Sequence, residues 1–393
     1  MIVERRSVTA LSMARPHSYV DIVSLPDLRL ESIRGFRRDT YVEMLGSAVI
    51  HHQGCLAYHR SPRALSPKSV IISNMSREPA CFSRLLILAG ALSLATCAVA
   101  AGPVGEDSHL QDALEVVDGD HADLCPGTAS REEFEATMTR LADEVRGDLG
   151  PDASGSVSVE ALNRRIFGPA GVHASTDLKN PCNLLPSRVL ERKQGYCVGI
   201  AALYLLIAER LDLPIYAVAT PSHVFLRHDD GVTRINIETL QGGVNIPDEQ
   251  YIREQKIPEE SIRRGVFMCN LTTDEFLAQV HNNLGVIYSE RKNYDAAARE
   301  YDSALDLDPH LPAALYNWGN DLLREGQYRR AVWRFSKALR LFPTDVWALN
   351  NRGLAYLKME KREKALWDFE AAIKVDPGFE QARRNLDGIR PLQ

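Results

Sequence analysis

The 393-residue chain is 45% hydrophobic and 25% charged with a net charge of −6, which excludes collagen-like, low-complexity and wholly disordered classes and suits about two to three domains. The charge is uneven: residues 1–74 hold ten Lys and Arg against six Asp and Glu, whereas 101–393 stand at −11. A body that acidic lacks the basic footprint nucleic acid requires, so no nucleic-acid partner is expected.

From the amino end, residues 1–74 show no sustained periodicity. They read as a disordered extension or as a misassigned start upstream of the true initiator, Met75. The stretch MSREPACFSRLLILAGALSLATCAVAAGPV, residues 75–104, has the parts of an export signal: basic Arg77 and Arg84, an apolar run from Leu85 to Ala100, and the small-x-small triplet AVA at 98–100. That run is too short for a comfortable bilayer crossing, so 75–100 is expected to be a cleaved signal peptide and no stable membrane span is expected. The expected destination is the bacterial periplasm. LATC, ending at Cys97, resembles a lipoprotein box, although Thr96 departs from it; a lipid anchor at Cys97 is the alternative fate.

Four cysteines follow residue 100: Cys125, Cys182, Cys197 and Cys269. No CxxC pair is present, and no calcium loop, phosphate loop or Rossmann fingerprint, so neither a metal nor a cofactor is expected. In an oxidising compartment one disulfide among Cys125, Cys182 and Cys269 is open, and spacing does not choose the pair.

Residues 101–270 are enough for one core. SREEFEATMTRLADEV, 130–145, opens with a capping box from Ser130 to Glu133 and sets Phe134, Met138, Leu141 and Val145 on one helical face. Shorter helices are predicted over 158–168 and 185–195, the latter started near Pro186 and stopped by Gly195. A fourth runs from Cys197 to about Leu211 and is apolar nearly all round, the pattern of a helix buried at a domain centre. After Pro214 the period changes to strands over 215–220, 223–228 and 232–238, with DDG at 229–231 as a hairpin turn. The layout is α+β.

Cys197 falls in the first turn of the central helix, where backbone N–H groups and the helix dipole favour a thiolate. With Asp230–Gly231 as a two-residue turn, or 229–232 as a four-residue loop, facing positions sum to 461. His223 then lies opposite Glu238 and Phe225 opposite Asn236. A lone cysteine is usually a small core hydrophobe, and a lone His beside a carboxylate is often only a satisfied pair. Thiol, base and acid in that chain order instead suit nucleophilic catalysis. Asn236 is the runner-up third member, and Gln194 a candidate oxyanion donor beside the Cys197 backbone N–H.

The residues LPSRVLERKQGYCVGIAALYLLIAERLDLPIYAVATPSHVF and, past the hairpin, INIETLQGG resemble the transglutaminase-like superfamily of papain-type folds, its SirB-type branch most closely. That resemblance implies Cys197 as nucleophile, His223 as base and Glu238 as acid. Glu stands where the superfamily more often has Asp, and many SirB-type relatives lack the cysteine.

After residue 277 the chain repeats itself every 34 residues. Gly285, Gly319 and Gly353 recur in step, as do Pro309, Pro343 and Pro377; Ala297, Ala331 and Ala365; Tyr301, Phe335 and Phe369; and Ala304, Ala338 and Ala372. These positions resemble the tetratricopeptide repeat family, three copies over 278–379, with 379–390 as a capping helix that completes an array over 278–390. The expected architecture is an α+β papain/transglutaminase-like domain over 101–270 followed by an all-α tetratricopeptide-repeat solenoid. Asn282, Tyr316 and Asn350 share one register on the inner helices, as do Asn283, Asn317 and Asn351. They read either as a ladder for a peptide backbone or as packing between helices. The expected function is an exported thiol-dependent acyl-transfer enzyme, by amide hydrolysis or transglutaminase-type transfer, with a repeat groove for a protein or peptide. The alternative is a non-catalytic peptide-binding scaffold.

The signal reading predicts that mature protein from the native cell begins near Ala101. Amino-terminal sequencing checks it: residues from 1–74 on the mature chain would overturn the export reading, and a lipid on Cys97 would reveal an anchored form.

Overall fold

The computed structural model describes residues 109–121, 124–125, 130–150, 153–168, 171–175, 177 and 180–389, all within one compact unit. The expected extension 1–74, the signal 75–100 and Cys97 lie outside the described residues.

The first helices are α1, His109–Asp120; α2, Arg131–Asp148; and α3, Gly155–Phe167. The predicted capping box starts α2: Ser130 Oγ accepts from Glu133 N, and the Glu133 carboxylate accepts from Ser130 N. Helix α3 begins three residues before the expected 158. Helix α4, Pro186–Arg192, ends earlier than Gly195, because Lys193 takes the left-handed conformation at φ 56°. Gly195 instead joins Gln194 in the short strand β2, paired in parallel with β1, His173–Ala174.

Helix α5, Cys197–Glu209, buries every residue from Val198 to Ala208. Each large apolar side chain in such a position contributes roughly 1.5–3 kcal/mol by leaving water. Against it lies an antiparallel sheet of order β3–β4–β5, with β3 at Ile215–Ala219, β4 at Val224–Asp229 and β5 at Arg234–Ile237. Beyond β5 come two short helices that the sequence reading lacked, α6 at Asp248–Glu254 and α7 at Glu259–Arg263. Pro247 and Pro258 precede them. At seven and five residues they show too few turns for a 3.6-residue period to register.

The hairpin register corrects the sequence reading. Facing residues sum to 463: Arg227 pairs with Asn236 and Asp229 with Arg234. The cause is local. Asp230 Oδ1 accepts from Val232 N and Thr233 N, which moves the tip to Gly231 (φ 81°) and Val232. The shift is two residues, so every side chain keeps its face. Phe225 no longer opposes Asn236, and Glu238 falls one step beyond the end of β5.

The repeats follow as helix pairs: α8, Thr273–Glu290, with α9, Tyr294–Leu307; α10, Pro312–Arg324, with α11, Tyr328–Leu341; and α12, Val346–Lys358, with α13, Arg362–Val375. Helix α14, Glu380–Ile389, covers the last pair through Ala382, Leu386 and Ile389. Helix α8 serves both cores, since Phe276, Leu277, Val280, Leu284 and Ile287 join the cluster built around α5. Each repeat glycine faces the aromatic sixteen residues on. A Cβ at Gly285, Gly319 or Gly353 would lie 2.4, 2.7 or 2.7 Å from the ring of Tyr301, Phe335 or Phe369.

Gly319→Leu therefore overpacks the second repeat against Phe335 and is expected to cost about 1–3 kcal/mol, read as a lowered thermal midpoint. An unchanged midpoint would contradict this packing.

Candidate functional site

The site is assembled from three segments. The first is the start of α5. Tyr196 N donates to Asn183 O at 2.7 Å, docking the helix on the turn Pro181–Asn183. Gly199 makes this approach feasible, since a Cβ there would meet Asn183 O at 2.4 Å and Leu184 O at 2.9 Å. The same turn is stapled by a Cys125–Cys182 disulfide, which settles the pairing that spacing left open. Cys197 is the free thiol among the described residues and is half-buried. Tyr196, the N-cap, supplies no side-chain hydrogen bond to the helix; its hydroxyl donates to Asp177 O at 2.9 Å instead. The positive end of the helix therefore acts on Cys197 without a capping side chain.

The second segment is the β3–β4 turn. Thr220 N and Oγ1 both donate to His223 O, at 2.8 and 3.0 Å, fixing the histidine just ahead of β4. Its side chain is 6% exposed. Nε2 lies 2.9 and 2.8 Å from the two Glu238 oxygens. Cys197 feels this pair electrostatically: the His223 charge and side chain and the Val224 backbone N–H all favour its thiolate.

The third segment holds Glu238, which is 0% exposed. Its backbone N donates to Val244 O at 2.9 Å, and its carbonyl accepts from Gly243 N at 2.9 Å. Asn163 on α3 ties the loop down by donating to Gly243 O at 3.0 Å. The carboxylate accepts from Leu240 N at 3.0 Å and from Tyr251 Oη at 2.7 Å. With the corrected register His223 is the diagonal neighbour of Glu238 on a shared face, and both side chains are long enough to close that offset. The pair thus forms although its predicted direct opposition does not.

These contacts set the charges. Burial pushes the Cys197 thiol up, but the His223 charge, the His223 side chain and the Val224 backbone N–H outweigh it and hold the thiol below its ordinary value. Burial pushes the His223 imidazole down, yet Cys197 and Glu238 together raise it to about 10. Glu238, also opposed by burial, is held low by His223, Tyr251 and Leu240. The arrangement favours a thiolate–imidazolium pair with an ionised carboxylate behind it.

Asn236, the runner-up third member, is committed elsewhere. It accepts from Arg227 Nε at 2.8 Å and donates to Ile246 O and to Asp248 Oδ1. Arg227, 1% exposed, also donates to Met268 O and to Asp248. Gln194 sits half-buried on β2, its backbone paired with His173. Tyr251 and Asp248 were missed in the sequence because α6 gave no periodic signal, and Arg227, on a strand that was predicted, because its partner Asp248 lies on α6; a tyrosine after PDEQ carries no mark of its partner thirteen residues back.

In the array, Asn282, Tyr316 and Asn350 are buried and hydrogen-bonded between successive inner helices. Asn317 donates to Asn282 at 2.9 Å, Asn351 to Tyr316 Oη at 3.1 Å, and Asn385 to Asn350 at 2.8 Å. Among the described residues no helix is long and apolar enough to cross a membrane, and no group of three or more His, Cys, Asp or Glu is placed to hold a metal.

Asn236→Ala removes an acceptor from a buried guanidinium and is expected to lower stability by about 1–3 kcal/mol while leaving the pH profile of Cys197 alkylation in place. A profile shift larger than that of a Glu238 variant would instead make Asn236 the partner of His223.

Residues 132–282 match the transglutaminase-like superfamily, and tetratricopeptide repeat families match 278–311, 319–360 and 348–379. A UPF0162 protein of Xylella fastidiosa (strain 9a5c) is 25% identical over 209 residues, covering 49% of this chain and 71% of the relative. A UPF0162 protein of Haemophilus influenzae is 31% identical over 100 residues, covering 25% of this chain and 38% of the relative. Among solved structures, the Arabidopsis OM64 TPR domain is 20% identical with a TM-score of 0.29, over 30% of this chain and 97% of that one. The first TPR of Spaghetti (RPAP3), bound to an HSP90 peptide, is 27% identical with a TM-score of 0.28, over 28% and 89%. The chain carries a transglutaminase-like domain followed by tetratricopeptide repeats.

Proposed function

We propose that the protein is an exported thiol-dependent acyl-transfer enzyme acting on a protein or peptide amide. The observation that carries this reading is the buried His223–Glu238 pair, hydrogen-bonded at 2.8 and 2.9 Å, with Cys197 at the start of a buried helix and its thiolate favoured by His223. Nε2 is engaged by the carboxylate, so Nδ1 is the ring nitrogen left for sulfur. The Cys197 thiolate attacks the amide carbonyl carbon, forming the C–S bond. The resulting oxyanion faces the N–H groups at the start of α5. His223 passes its Nδ1 proton to the amine nitrogen as the C–N bond breaks, leaving a thioester and a neutral imidazole. Water or a second amine then gives a proton back to His223 and attacks the thioester, releasing the acid or the new amide and restoring the thiolate. Glu238 stays ionised throughout and stabilises the imidazolium.

The tetratricopeptide array supports a protein or peptide partner, since stacked helix pairs form an extended concave surface. Export is supported by the Cys125–Cys182 disulfide, a bond that persists in oxidising compartments.

The test is iodoacetamide alkylation of Cys197 across a pH series. A thiol below its ordinary value reacts already near neutrality, and its reactivity falls as pH drops through that lowered value. His223 loses its proton only near pH 10, so turnover that needs the imidazolium declines on that alkaline side. Glu238→Gln weakens the imidazolium and is expected to slow alkylation near neutral pH about tenfold, one pKa unit of lost thiolate stabilisation. A rate indistinguishable from unfolded cysteine in the parent protein, or no response to Glu238→Gln, would favour a peptide-binding scaffold instead.

A further inference from the structure

The repeat array does not stop at its own core. One apolar cluster contains Val218, Phe225, Ile246, Tyr251, Ile257, Phe267, Met268 and, from the end of α11, Phe342. Phe342 meets the Phe267 ring edge-on at 5.2 Å. Around that contact Ser261 Oγ donates to Leu341 O at 3.0 Å, Arg264 donates to Arg340 O at 2.7 Å, and Lys256 pairs with Asp376 at 3.6 Å. The α6–α7 segment is therefore seated on the repeats at several points.

The same segment holds the thiol site from behind. Tyr251, 1% exposed, donates to Glu238 Oε2. Its ring stacks on Phe225 at 4.3 Å and lies 6.5 Å from the His223 ring at 26°. One turn on, Gln255 Oε1 accepts from Ser222 N and Oγ, gripping the residue next to His223. Thus α6 touches both the acid and the turn that carries the base.

Phe342 also breaks the repeat. At the same register the first and third copies have Asp308 and Asp376. Those aspartates cap the following turn, accepting from His310 N and Gly378 N. The second copy has replaced a capping carboxylate with a ring that packs into the cluster beneath Tyr251.

We infer that Tyr251 is a positioning residue for the His223–Glu238 pair and that Phe342 of the second repeat, packed in the cluster beneath it, makes the array a structural part of the thiol site. This rests on the reading of Cys197, His223 and Glu238 given above. The array then sets the geometry of the thiol site as well as offering a surface to a partner.

The experiment uses the full chain and iodoacetamide between about pH 5 and pH 10, with thermal unfolding in parallel. Tyr251→Phe keeps the ring and removes the hydrogen bond. Phe342→Asp places the residue of the other two repeats at this register, where it can cap the following turn as they do, while the cluster that contains Tyr251 loses its ring. Each is expected to move the acid limb of the Cys197 profile upward and slow alkylation near neutral pH about three- to tenfold. If Phe342→Asp does not fold, Phe342→Leu carries the same test, with a smaller shift in the same direction. Folded variants with a lowered thermal midpoint and an unmoved or downward-moved profile would overturn the inference, because Phe342 and Tyr251 would then act on stability alone. If Glu238→Gln also leaves the profile unmoved, the triad reading falls. If Glu238→Gln moves it and the Tyr251 and Phe342 variants do not, only this inference falls.

Discussion

A carboxylate buried away from water is the constraint around which the transglutaminase-like domain is arranged. Glu238 has no exposure, and an isolated ionised carboxylate in that position would be strongly disfavoured. It is retained as an anion by three donors from three places: the His223 ring, the Tyr251 hydroxyl and the Leu240 backbone. Each donor imposes a demand on the fold. His223 requires the tight β3–β4 turn, Tyr251 requires α6, and Leu240 requires the chain to leave β5 in a short 3-10 turn immediately after Glu238. The charge on the imidazole, and through it the state of the sulfur, follows from satisfying this one group.

A second buried charge supports the first. Arg227 is enclosed in the same hairpin and is neutralised by Asp248 at the start of α6, with Asn236 Oδ1 and Met268 O as further acceptors. Removing one partner of such a group leaves an uncompensated charge in the interior, which is far more costly than the net worth of the pair. The network thus ties β4, β5, α6 and the strand-like segment before α8 into one unit. Met268 N and Leu271 N donate to Ala219 O and Ala217 O, so the chain runs alongside β3 before it enters the repeats.

The join between the two architectures is consequently a packed one. Helix α8 places Phe276, Leu277 and Val280 in the core around α5 and also begins the first repeat. On the outer side, His121 and His281 both contact Glu300, at 3.1 and 2.8 Å, linking the segment after α1 to the first helix pair. His121, Glu300 and His281 hold the α1 end of the domain to the first repeat, and α7 with Phe267 holds it to the second.

How much of this was legible in the chain itself divides along the range of the interactions. The repeats were readable because the glycine, alanine and aromatic positions meet within sixteen residues, and their contacts recur every 34. Helix α5 was readable from its apolar residues all round, and the thiol at its first turn from Gly195, Tyr196 and Cys197 standing just ahead of that run. The His223–Glu238 pair was reached through a hairpin whose register was two residues off; it survived because a shift of two preserves the face, so parity rather than exact opposition decided it. The tertiary structure decided the rest. The Cys125–Cys182 bond, the commitment of Asn236 to Arg227, the hydroxyl of Tyr251 on Glu238, and the seat of Phe342 all join residues from separate elements. Nothing in local propensity or period records such contacts, since a polar or aromatic side chain acquires its partner only when the fold brings distant backbone segments together and excludes the water between them.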